Sequence, residues 1–284
     1  MKLLVLSDWH YNNGNNSRAY NLLKALNGIN ENPDALVLCG DNAEISDGFQ
    51  NHFELFDALK KRFPIPTGFI IGNHELWGKE RGINARVLLD AIYPDLAKEF
   101  DMTYLEQTNM SVNSHVVAGT YGHYDYTLGD PKIFTKQEIE TGIPVVAAEE
   151  EQFTAWDKRL IDWQGLTDTK VCSSLVNRLD ERLADANKPL ITISHTLPRR
   201  TLSGRHEQGR REEYLKLFNG SKLIDQVIIN RKPNYHFCGH THAYAITGIG
   251  TTVAVNVGSS NNIFSYLTVD TERGKIDRQS INLE

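Results

Sequence analysis

Residues 234–244 read NYHFCGHTHAY, a short apolar run closed by a glycine and then two histidines, His240 and His242, one residue apart. On extended backbone, side chains two residues apart point to the same side, so both imidazoles can converge on one object. Gly239 just before them permits a sharp turn and close backbone approach. A pair of solvated surface histidines would leave the same letters. This stretch alone therefore leaves metal ligation and solvent exposure both open, and the polar residues elsewhere in the chain decide.

The same arrangement, an apolar run ending on a polar donor, recurs four more times. KLLVL leads to Asp8 and His10, ALVLC to Asp41, TGFIIG to Asn73 and His74, and PLITISH ends on His195. A helical pattern runs from about Ser17 to Leu26, with Tyr20, Leu23 and Leu26 on one face. Another runs from Ser46, as N-cap, through FELFDALKKRF. Short apolar runs separated by helices predict an α/β chain whose parallel strands are covered on both faces. Ligands of such sheets bind beyond the carboxyl ends of the strands. Mixed carboxylate, amide and imidazole donors at five such ends suit manganese, iron or zinc better than calcium. Asp8, His10, Asp41, Asn73, His74, His195, His240 and His242 are too many donors for one ion. Two metals sharing one carboxylate are the expectation, and the two histidines of the opening stretch belong to it.

The chain has 284 residues, 40% hydrophobic and 23% charged, an ordinary globular balance. A net charge of -6 provides no global basic field for nucleic acid or an anionic membrane. The run in MKLLVLSDWH is too short for a signal peptide, and no segment approaches a membrane span. Cys39, Cys172 and Cys238 lack any framework spacing, which predicts buried small residues in a reducing, cytoplasmic setting. Residues from about 128 to 188 are polar, lack the strand–helix alternation and carry the acidic run AAEEE. RLIDWQGL and SSLVNRLDERLADA read as helices there. This stretch is expected to be an inserted helical cap on a single domain spanning 1–284. Further on, YAITGIGTTVAVNVG and SYLTVD read as an antiparallel hairpin and one more strand.

The blocks DWH, GDN, GNHE, ISH and GHTH, in that order between residues 8 and 242, resemble the calcineurin-like metallophosphoesterase superfamily. The resemblance implies a two-sheet β-sandwich flanked by helices. Carried over by position, it implies that Asp8, His10 and His242 hold one metal and that Asp41 bridges to a second. Asn73, His195 and His240 then complete the second site, and His74 is the catalytic histidine rather than a ligand. The implied cofactor is a pair of divalent ions, manganese ahead of iron or zinc. The implied reaction is hydrolysis of a phosphate ester by a metal-bridging hydroxide, with His74 assisting the leaving oxygen. A histidine in that role needs an acidic partner to fix its tautomer. Glu44, three residues after Asp41, stands where many relatives have aspartate and is the expected partner. Glu75 ranks below it because adjacent side chains tend to diverge.

Protein Ser/Thr phosphatases of the superfamily carry an arginine directly after the second block, where this chain reads GDNAEIS. That weakens a phosphoprotein reading, and ISHTLPRR to GHTH instead resembles small bacterial phosphoesterases. The expected substrate is a small phosphorylated molecule, a nucleotide among the candidates. The alternative is a phosphodiesterase acting on cyclic or linear nucleotides. A non-catalytic scaffold of the same fold is disfavoured because His74 and every ligand position are intact. A nuclease is disfavoured by the acidic balance, and the oligomeric state stays open. For recognition, Pro198 is expected to leave Arg199 and Arg200 on a loop near the second metal, where arginine binds phosphate bidentately. A solvated surface loop is the other reading of that charge run. His123 and Tyr124, with Tyr121, are expected to face the substrate from the loop GTYGHYDYT. His52 and His115 are expected to be structural or solvated, and His236 a core residue.

Overall fold

A computed structural model describes residues 1–145, 154–186, 189–204, 209–260 and 262–283. The acidic run at 147–151 and the Arg205-His206 pair lie outside these described residues. In chain order the strands are β1 (Lys2–Leu6), β2 (Ala35–Cys39), β3 (Thr67–Ile70), β4 (Thr103–Tyr104), β5 (Met110–Val112) and β6 (His115–Thr120). They continue with β7 (Leu190–Ser194), β8 (Tyr235–Cys238), β9 (Ala245–Ile249), β10 (Thr252–Asn256), β11 (Ile263–Asp270) and β12 (Lys275–Asn282). One sheet has the order β12-β11-β1-β2-β3-β4 and the other β5-β6-β7-β8-β10-β9. Strands β1 to β4 are parallel, as are β6, β7, β8 and β10, and the antiparallel partners sit at the sheet edges.

The period of two explains why the motif strands read as unbroken apolar runs. Leu3, Val5, Ala35, Val37 and Ile70 pack between the sheets against Ile191, Ile193, Phe237 and Val255. Their neighbours Leu4, Leu6, Leu36, Leu38 and Phe69 belong instead to the cluster under the helices Asn16–Gly28 and Gln50–Arg62. Each strand is thus apolar on both faces. Burying one such side chain is worth about 1.5–3 kcal/mol. A carboxylate at Val37 would stand unpaired between the sheets and break this layer.

The helix Asp168–Leu183 starts at Thr167, whose side chain accepts a hydrogen bond from the Lys170 amide. It lays Cys172, Val176, Leu179 and Leu183 on Val116, Ala118 and Leu190 of β6 and β7. This spacing is one face of a helix. The segment is therefore the crossover between two parallel strands, part of the outer layer rather than of a cap. Among the described residues, the rest of the polar stretch forms a 3-10 turn, Pro131–Ile133, and two short helices, Lys136–Thr141 and Asp157–Leu160. The helix expected over RLIDWQGL ends early, because Ile161 is extended at φ -101° and ψ 132°.

Candidate metal and catalytic centre

The motif strands run into tight loops at one edge of the sandwich, and the donors sit on those loops. Five of them have left-handed backbone: Asp8 (φ 57°), His10 (46°), Asp41 (49°), His240 (73°) and His242 (56°). A non-glycine residue there costs on the order of 1–3 kcal/mol and persists only where its surroundings enforce it. The loops enforce it mutually. The Asp8 amide donates to the Gly40 carbonyl at 3.1 Å and the His10 amide to the Asp41 carbonyl at 2.8 Å. The His240 amide donates to Asp8 Oδ1 at 2.7 Å. A Cβ on Gly239 would collide with Ser7 Oγ and Asp8 Oδ2, so this turn admits only glycine.

Glu75 ties the loops after β2 and β3 together. Fully buried, it accepts from the amides of Gly72 (2.8 Å), Asp41 (3.0 Å), Asn42 (2.6 Å) and Ala43 (3.3 Å). Its carboxylate serves the backbone, and no hydrogen bond joins it to the His74 ring among the described contacts.

The donor set fits cations. His195 Nδ1–H donates to the Cys39 carbonyl (2.9 Å), which leaves Nε2 as a lone-pair donor facing Asn73 Oδ1 at 2.9 Å. His240 Nε2–H donates to the Phe218 carbonyl (3.1 Å), so its Nδ1 faces the same Asn73 oxygen at 3.0 Å. His10 Nδ1–H donates to Glu44 (3.1 Å), and its Nε2 faces Nε2 of His242 at 3.0 Å. In their neutral tautomers these rings would set acceptor against acceptor, which a cation between them relieves. The Asp41 carboxylate, outweighing burial, raises His195 to about 9, so a proton on its Nε2 serves the same purpose where no cation sits. Asp8 Oδ2 is buried with no hydrogen-bond partner, which fits the same purpose. Asp8, His10, Asp41 and His242 each offer a ligand atom within 4.8 Å of one another. Burial holds the His240 pKa down at about 3, so this ring is neutral and available as a donor.

His74 stands beside these groups. Its Nδ1–H donates to Glu44 (2.8 and 3.0 Å to the two oxygens), its amide donates to Asp41 Oδ1 (3.0 Å), and its Nε2 lies 4.0 Å from Asp41 Oδ2. Burial alone would lower its pKa, but the Asp41 and Glu44 carboxylates raise it to about 9. Glu44 in turn is brought down to about 2, since hydrogen bonds from His10 and His74 outweigh its desolvation.

The residues expected to recognise substrate are engaged by other side chains, and Tyr121 stacks on His195 with ring centroids 6.2 Å apart. His123 is fully buried, with Nε2 2.9 Å from Asp168 Oδ1 and Nδ1 3.1 Å from the Tyr121 hydroxyl. Tyr121 and Tyr124 are buried as well, so these three rings form a packed layer instead of a wall for a substrate. Arg199 is spanned by both oxygens of Asp225 (3.0 and 2.9 Å) and donates to the Gly248 carbonyl (3.2 Å). Arg200 pairs with Glu213. Both guanidinium groups are thus occupied by carboxylates of neighbouring helices. His52 bonds the Tyr93 hydroxyl (3.2 Å), and His236 bridges Thr192 (3.0 Å) and Ser194 (3.1 Å) in the core.

Two residues at the centre carry no sequence signal. Trp77 stacks on His74 with ring centroids 3.6 Å apart and an interplanar angle of 31°. Asp157, from the polar stretch, accepts from Asn73 Nδ2 (3.0 Å) and from Trp77 Nε1 (2.7 Å). Nothing in a run of charged residues distinguishes the one that folds back onto the centre.

A model of the calcineurin-like phosphoesterase family matches residues 1–244. The chain belongs to this family, and its two six-stranded sheets flanked by helices are the family's fold. Among solved structures, phosphopantetheinyl hydrolase from Mycobacterium tuberculosis is similar with a TM-score of 0.69 at 20% identity, over 91% of this chain and 89% of that one. A second solved structure is similar with a TM-score of 0.61 at 15% identity, over 100% of this chain and 99% of that one. At such identities the likeness shows the fold alone. No curated protein matches the chain in sequence.

Proposed function

We propose that the chain is a binuclear-metal phosphoesterase that hydrolyses an ester of a small phosphorylated molecule, with His74 assisting the leaving oxygen. The observation that carries this reading is the position of Asp41. Its Oδ2 lies 3.6 Å from His10 Nε2 and 3.4 Å from His195 Nε2, so one carboxylate oxygen borders both groups of donors. Asp8, His10, Asp41 and His242 would hold one ion, and Asp41, Asn73, His195 and His240 the other. Divalent ions there supply Lewis acidity that stabilises charge on the phosphoryl oxygens and activates water.

The chain's own groups do the rest. Glu44 holds His74 with Nδ1–H toward itself and Nε2 toward the space beside Asp41. With Nδ1–H held by Glu44, a proton on His74 Nε2 faces that space and would pass to the departing oxygen. Manganese is the proposed metal because the donors mix carboxylate, amide and imidazole. Three free, buried cysteines support a cytoplasmic setting. Among the described residues no helix is long and apolar enough to cross a membrane.

The test is calorimetric titration of metal-free protein with manganese, followed by turnover of nitrophenyl mono- and diesters, nucleotides and cyclic nucleotides. Two equivalents bound and hydrolysis of monoesters are expected. Full activity with one equivalent overturns the binuclear reading, and turnover of diesters alone selects the phosphodiesterase alternative. Absence of turnover on the whole panel overturns the proposed activity.

A further inference from the structure

We infer that Asp157 is a positioning residue for both halves of the centre, setting the amide of Asn73 directly and the ring of His74 through Trp77. This rests on the function proposed above.

A single oxygen, Asp157 Oδ1, takes both hydrogen bonds, from Asn73 Nδ2 at 3.0 Å and from Trp77 Nε1 at 2.7 Å. The carboxylate is buried, 7% exposed, so these donors face little competition from water. An amide presents oxygen on one side and NH2 on the other. Anchoring Nδ2 is what turns Asn73 Oδ1 toward His195 Nε2 and His240 Nδ1, where a cation would sit. A half-turn of the amide would aim an N–H dipole at that cation instead. The indole has one N–H, and fixing it sets the plane that lies against the His74 ring.

The segment bearing Asp157 is itself tethered. The Ala155 amide donates to the Gly142 carbonyl at 2.8 Å, and the Ala85 amide to the Asp162 carbonyl at 2.8 Å. The next residue, Lys158, pairs with Asp168 at 2.5 Å. Asp168 is the carboxylate that also receives buried His123. The buried network around His123 therefore anchors the segment that orients the ligand. Outer partners of metal ligands are typically worth about 10–100-fold in metal affinity.

The experiment compares Asp157→Ala, Asp157→Asn and Trp77→Phe with wild type, using cobalt uptake followed by absorption against a competing chelator. Turnover is measured separately on good and poor leaving groups. Asp157→Ala should bind the second equivalent about 10–100-fold more weakly and leave the first unchanged. Asp157→Asn keeps an oxygen that accepts both hydrogen bonds and should restore most of the second affinity. Trp77→Phe should keep both affinities and lose kcat on poor leaving groups only. Wild-type uptake of two ions with unchanged second affinity in Asp157→Ala overturns this inference alone. Equal impairment of Asp157→Ala and Asp157→Asn also overturns it. Uptake of a single ion by wild type overturns the functional reading and this inference with it. Should Asp157→Ala not fold, wild-type kinetics of Trp77→Phe on poor leaving groups would overturn the link to His74.

Discussion

Glu44 Oε1 lies 2.8 Å from His74 Nδ1, and the same oxygen lies 3.1 Å from Nδ1 of His10. One carboxylate thus sets the tautomer of the proposed proton donor and of a proposed metal ligand, turning Nε2 of both rings inward. The two histidines can be separated by mutation. His74→Ala should keep its metal while kcat falls about 10²–10⁴-fold, with a smaller loss for esters that need little protonation. Glu44→Ala should show a milder kcat defect together with weaker binding of the ion at His10. Loss of metal from His74→Ala would falsify the role given to His74.

Asp41 borders both donor groups, whereas His10 belongs to one. Asp41→Asn should therefore lower the occupancy of both ions, while His10→Ala should empty mainly one. Elemental analysis after manganese reconstitution and desalting reads this directly. Equal depletion by the two variants would show that the sites do not share Asp41.

Arg199 and Arg200 are occupied by Asp225 and Glu213. The Arg199 pair is partly exposed, at 34% and 17% for the two side chains, so its contribution to stability is modest, about 1 kcal/mol. Arg199→Ala should lower the unfolding free energy by about that amount and leave KM unchanged across the ester panel. A rise in KM confined to one substrate would return this arginine to the recognition surface.

A buried carboxylate outside the proposed donor set provides a pH test. Glu106 accepts from the Thr120 hydroxyl (2.9 Å) and the Tyr121 amide, and burial raises its pKa from 4.5 to about 7. The folded chain therefore holds a proton that the unfolded chain releases between those values. The stabilisation is complete below about pH 4.5 and is lost as pH rises through about 7, amounting to roughly 3 kcal/mol. Urea unfolding of metal-free wild type and Glu106→Gln at pH 5 and pH 8 isolates this group. The advantage of wild type over the variant should shrink at pH 8, and an advantage that grows would contradict the sign.

The donors were legible because two local rules produce them. A strand buried on both faces reads as an apolar run, and the loop at its carboxyl end is where polar side chains can meet; hence Asp8, Asp41, Asn73, His195 and the His240–His242 pair could be placed from letters alone. Gly239 was legible for the same reason, since a turn pressed against its neighbours excludes a Cβ. Glu44 ahead of Glu75 followed from the resemblance and from adjacent side chains diverging. Tertiary structure alone decided the partners. Arg199 meets Asp225, His123 meets Asp168 across 45 residues, and Asn73 meets Asp157 across 84. A charged side chain reads alike whether solvent or a distant carboxylate satisfies it, because that choice is made by the packing of elements far apart in the chain and not by its neighbours in sequence.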